Sequence, residues 1–174
     1  MIIRALTAVV GVVATMVVMS GCSAPAPSPT PTPTAVFASE DEAFAAAEET
    51  YRAYIDAVNA RRTDPNSSPA PSSFLIGDAL ADSLAVDRDL EASGIRAVGD
   101  TGIERIDRND AAPTHGRVVI GVCLNSQAVR AVNEPGQDVT PDERPDFALL
   151  RASLIQVDDR LLIEQSVTSR ADGC

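Results

Sequence analysis

The sequence predicts an α+β fold: two N-terminal helices packed on a curved, mostly antiparallel sheet of four to five strands. Three observations predict it. Apolar residues recur at helical spacing from Phe44 to Leu90, and after Gly94 the period changes from 3.6 to 2. Helices that precede a run of strands pack on one face of an antiparallel sheet. The chain has 174 residues, 45% of them hydrophobic, which suits a folded domain rather than global disorder.

The first helix is expected over about 40–61. Ser39 and Glu42 form a capping box, and Asp41 and Glu42 suit the positive end of the helix dipole. Phe44, Ala47, Tyr51, Tyr54 and Val58 then line one apolar face, with Ile55 beside them. Glu48 and Arg52 are spaced for an i,i+4 ion pair on the opposite face. Asp64-Pro65-Asn66-Ser67-Ser68-Pro69 ends the helix in a loop.

A second helix is expected over about 72–93, with Ile76, Leu80, Leu84, Val86 and Leu90 as a looser stripe. Gly77 weakens its first turns, so the element begins late or breaks there. Gly94 suits the position just past its end.

Residues 95–107 read as one strand. Val118, Ile120, Val122 and Leu124 alternate with Val119, Gly121 and Cys123, a strand buried on both faces near its centre. Residues 129–132 form a short strand that stops at Glu134-Pro135-Gly136. Residues 147–157 and 161–167 flank Asp158-Asp159-Arg160, a hairpin connection. There is no internal repeat.

The N-terminus carries an address. Arg4 precedes an apolar run from Ala5 to Met19, and Ser20-Gly21 are small residues of the kind a signal peptidase accepts. Met19-Ser20-Gly21-Cys22 resembles the lipobox of bacterial lipoproteins, with Met where Leu is usual. The resemblance implies cleavage before Cys22, acylation of its sulfur with fatty acid such as palmitate, and lipid anchoring at the extracytoplasmic face of the cell membrane. The alternative is an uncleaved anchor, and the 17 residues from Ala5 to Gly21 sit at the bottom of the spanning range. The expected organisation is a signal peptide over 1–21, a lipidated Cys22 with a Pro-rich stalk over 22–38, and one domain over 39–174. The stalk contains SAPAPSPTPTPT, whose alternating prolines favour an extended polyproline II spacer of roughly 37 Å.

With Cys22 given to lipid, Cys123 and Cys174 remain. In an oxidising compartment an even remainder predicts a disulfide between them; the alternative is a buried free thiol at Cys123 and a frayed tail.

Composition excludes several functions. The 14 basic residues are all Arg, against 25 acidic ones, for a net charge of −11. That balance argues against nucleic-acid binding and against docking on anionic lipid head groups by charge. Without Lys there is no Walker A lysine and no Schiff-base chemistry. One His, His115, excludes multi-His zinc sites, and no metal or cofactor is expected. No G-x-S-x-G elbow accompanies His115, which reads as a surface residue. Asp87/Asp89 and Asp158/Asp159 lack the spacing of a calcium loop.

From Ser39 to Cys174 the chain resembles secreted proteins of unknown function from high-G+C Gram-positive bacteria. The resemblance rests on Ala45-Ala46-Ala47-Glu48-Glu49-Thr50-Tyr51-Arg52-Ala53-Tyr54, Val122-Cys123-Leu124, Gly136-Gln137-Asp138-Val139-Thr140, Arg144-Pro145 and Cys174. The helix-then-sheet order is similar to the cone-shaped nuclear transport factor 2 superfamily, which includes ketosteroid isomerase-like enzymes and non-catalytic adaptors. That resemblance implies a cone and leaves its function open.

An isomerase-type site needs a carboxylate base and an acid such as Tyr inside the cone. Tyr51 and Tyr54 lie on the helix face that would line such a cavity; core residues with hydroxyls at the rim are the simpler expectation. Glu104 and Glu164 are the carboxylates nearest strand interiors, and Glu164 reads as part of a solvent face. No catalytic residue is assigned. The favoured reading is a lipid-anchored domain, on the membrane through Cys22, that binds an extracytoplasmic protein or small ligand without catalysis. The alternatives are a cone-fold enzyme acting on a small apolar substrate, or a structural envelope protein.

Overall fold

The computed structural model describes residues 35–170 and Cys174. The expected signal peptide, Cys22 and most of the stalk lie outside these residues. The described part is α+β, with two helices packed on antiparallel sheets of four and two strands.

Chain entry is fixed first. The amides of Val36 and Phe37 both donate to the Pro113 carbonyl, at 3.0 and 3.2 Å, and Phe37 is buried. Helix α1 (Glu40–Thr63) follows. Its Ser39 cap accepts from the Glu42 amide at 3.1 Å, while the Glu42 carboxylate accepts from the Ala38 amide at 2.7 Å. The capping box thus closes one residue upstream of its usual partner. Phe44, Ala47, Tyr51, Ile55 and Ala57 are buried, so the apolar face rotates towards Ile55 and leaves Tyr54 and Val58 half-buried. The expected Glu48–Arg52 pair does not form. Glu48 turns instead to Arg108, 3.6 Å away, whose guanidinium also meets Asp41 at 2.8 Å and lies 5.4 Å from the Phe44 ring centre. A cation carried by the sheet thus displaces the local partner.

Pro71–Phe74 form a single 3-10 turn, and helix α2 (Gly77–Ala92) starts only at Gly77. Gly94, at φ 61°, takes the left-handed conformation that ends it. The expected single strand over 95–107 is two strands, β1 (Ile95–Val98) and β2 (Gly102–Ala112). The break has two causes. Gly99 sits at φ 83°, where a side chain would collide with the Ala128 carbonyl. The end of α1 also captures the intervening loop: Asn59 accepts from the Thr101 amide at 2.9 Å, and Arg62 donates to the Gly99 carbonyl at 3.1 Å and the Thr101 hydroxyl at 2.9 Å.

Strands β3 (Arg117–Asn125), β4 (Arg130–Asn133), β5 (Phe147–Val157) and β6 (Arg160–Arg170) complete the domain. The large sheet runs β2-β3-β5-β6, and β1 pairs with β4 in the small one. Every pairing between these strands is antiparallel. Val118 to Cys123 are all buried, as a central strand covered on both faces requires. β6 runs past the expected limit of Val167, and a bulge opposite Ser153 and Leu154 leaves Glu164 unpaired in the ladder. The core lies between α1 and the sheet, around Tyr51, Ile120, Leu154 and Ile163. Burying side chains of this size stabilises by about 1.5–3 kcal/mol each.

Candidate functional site

Catalysis inside such a fold would need an acid and a base facing a common space between helix and sheet. Tyr51 is 1% exposed and packed within the core. Its hydroxyl lies 3.5 Å from the Ser166 Oγ on β6, and burial pushes its pKa up to about 12 despite that bond. Tyr54 is half-buried, edge-on to Tyr51 at 5.8 Å and to Phe74 at 6.5 Å. Burial raises its pKa as well, helped by the Asp87 charge. Among the described residues no carboxylate hydrogen-bonds either hydroxyl. A raised pKa without a base partner makes these phenols poorer acids than free tyrosine.

Glu104 is exposed and accepts from Asn125 at 2.6 Å. His115 is exposed in the 3-10 turn Pro113–His115. Asp158 and Asp159 form the hairpin turn between β5 and β6, and Asp87 and Asp89 are exposed on α2. Among the described residues no three His, Cys, Asp or Glu side chains converge as metal ligands. No helix there is long and apolar enough to cross a membrane.

Glu164 sits elsewhere than on a plain solvent face. The bulge turns it into a polar cleft of about 220 Å³ with Gly77, Asp78, Arg117, Ser153 and Gln165. Arg117 Nη1 meets Glu164 Oε2 at 2.6 Å, with the two side chains 45% and 38% exposed. The start of α2 opens here, and Ile76 at its cap offers no side-chain acceptor. Arg117 and Glu164 offset each other's charge, which leaves Asp78 as the cleft's carboxylate without an ion pair among the described residues. Sequence reasoning missed Arg117, Ser153, Gln165 and Asp78 as neighbours, because a bulge and a helix start bring them together across the fold.

Cys123, in β3, and Cys174 are joined by a disulfide, with Cα atoms 5.5 Å apart. Cys123 is fully buried. Arg105 on β2 donates to the Cys174 carbonyl at 2.8 Å and holds both Asp107 oxygens at 2.9 Å. One cation therefore ties the chain end to the second strand.

A second groove, of about 340 Å³, runs along α2 between Ala81, Leu84, Asp87, Arg88 and Glu91. Neither Tyr51 nor Tyr54 lines either cleft.

No known family model matches the chain, and no curated protein matches it. Among solved structures it is similar to the 1.8 Å structure of Aln2 from a Streptomyces species, at 11% identity and a TM-score of 0.45. The likeness covers 73% of this chain and 89% of that one, and carries no argument about activity.

Proposed function

We propose that this chain is a lipid-anchored extracytoplasmic binding domain without catalysis, built on a cone of the nuclear transport factor 2 kind. The observation that carries the non-catalytic reading is the interior: Tyr51 is packed against Ser166 and meets no carboxylate among the described residues. An isomerase-type reaction needs a base within hydrogen-bond reach of the substrate and an acid facing it. The tether rests on the Arg4, apolar-run and Met19-Ser20-Gly21-Cys22 pattern. Two acyl chains on Cys22 anchor stably, whereas one binds marginally.

Cell fractionation with mass spectrometry of the N-terminal peptide tests the tether. The expected result is membrane-bound protein with a lipid on Cys22, and Cys22→Ala that is either released or left unprocessed. Soluble wild-type protein with an unmodified Cys22 overturns it. Turnover of a small β,γ-unsaturated ketone that Tyr51→Phe abolishes would overturn the non-catalytic half.

A further inference from the structure

Helix α2 buries one residue of its 16, Ala79. Its sequence nevertheless carries Leu80, Leu84, Val86 and Leu90. Leu84 is 46% and Val86 56% exposed. The groove beside Leu84 is lined by Ala81 and Leu84 together with Asp87, Arg88 and Glu91, all of them on α2 itself.

The charged lining is two carboxylates, Asp87 and Glu91, against the one guanidinium of Arg88. Arg88 turns its Nε back onto the Leu84 carbonyl of its own helix at 3.0 Å. Asp87 and Glu91 form no ion pair among the described residues. Asp78, Asp82 and Asp89 add to the same helix, which holds five acidic residues and one basic. Two unpaired carboxylates flanking an exposed leucine set the chemistry of what fits: an apolar side chain for the groove, with Lys or Arg beside it. A second copy would bring the same carboxylates to the same groove and repel. An anionic membrane would repel them as well.

We propose that the Leu84 groove of α2 docks a cationic amphipathic segment of a partner protein. The proposal deepens the binding-domain reading and rests on it for the partner's location outside the cell. Apolar anchors spaced i, i+3 or i+4 on the partner would enter beside Leu84, and their basic neighbours would reach Asp87 and Glu91.

The test uses the full chain in nanodiscs of zwitterionic phosphatidylcholine, with empty nanodiscs subtracted. The probe is a fluorescent 18-residue amphipathic helix of Leu and Lys, compared with its Leu and Glu counterpart. The Leu–Lys helix is expected to bind and the Leu–Glu helix at least tenfold more weakly. Asp87→Lys/Glu91→Lys should lower Leu–Lys affinity at least tenfold, and Leu84→Glu at least fivefold, with wild-type circular dichroism. Asp142→Lys/Glu143→Lys, in the loop before β5, should change affinity less than twofold. An equal loss from that control overturns the proposal in favour of unspecific charge attraction. Failure of the Leu–Lys helix to bind overturns it outright, and so does self-association of the wild type that Leu84→Glu abolishes. Each of these results leaves the lipid on Cys22 untouched, so the tether stands or falls separately.

Discussion

Two regions of this domain face opposite demands. The body, α1 with the four-stranded sheet, holds almost the whole core: α1 buries six of its 24 residues and β3 six of nine. The flank, α2 with β1 and β4, buries only Ala79 and Val132. Both regions carry comparable apolar residues in sequence. What differs is the partner: α1 lies across the inner side of a wide sheet, while α2 lies beside the edge strand β6, where Ile76 donates to the Ile163 carbonyl at 2.9 Å. A helix at an edge can bury only one narrow stripe. Stability therefore belongs to the body, and the flank is left as surface.

The contrast can be broken by substitution. The largest effect is expected from the disulfide and the core. Cys174→Ser, or reduction, opens a bridge of sequence separation 51, worth about 4 kcal/mol in the chain-entropy model. The melting temperature should fall by roughly 10 °C or more. An unchanged melting curve on reduction would show that the bridge constrains nothing. Leu154→Ala in the body should cost about 2–5 kcal/mol in urea unfolding. Leu84→Ala in the flank should cost less than about 1 kcal/mol. Equal costs at the two leucines would remove the distinction.

A smaller effect sharpens the boundary of the body. Ser39→Ala removes the acceptor for the Glu42 amide and should cost about 1 kcal/mol. Arg117→Ala breaks an ion pair that is nearly half exposed, so its effect on stability should stay below about 1 kcal/mol.

The tyrosines give an independent view of burial. The sequence has two Tyr and no Trp, and both Tyr pKa values are raised by burial. At pH 10 the native protein should show less tyrosinate absorbance than free tyrosine, which is half ionised there. Because Tyr51 holds its proton more tightly when folded, its contribution is fully present below pH 10 and is lost as the pH rises towards 12. Tyr51→Phe should flatten that decline. Half-ionisation of both residues at pH 10 in folded protein would contradict the packing.

Most of this architecture was legible in the sequence, for identifiable reasons. The capping box, the apolar face of α1 and the alternation in β3 are local patterns with one structural solution each. The late start of α2 was visible in Gly77. The split of the strand after Val98 was not: it depends on Asn59 and Arg62, some 40 residues upstream, reaching the loop. The Glu48–Arg108 pair and the Arg117–Glu164 cleft escaped for the same cause, since long-range partners leave no trace in spacing. The Leu84 groove was hidden more subtly. The stripe on α2 is present in the sequence, but its exposure is fixed by the edge position of the helix.

Native-state hydrogen exchange tests the division between body and flank most directly. Amides of β3 and β5 should exchange only through global unfolding, at the full stability of the domain. Amides in the second half of α2, from Leu84 to Ala92, should exchange through local opening several kcal/mol lower, and should gain protection when the Leu–Lys helix binds. Protection of α2 equal to that of β3 in the free protein would contradict the account.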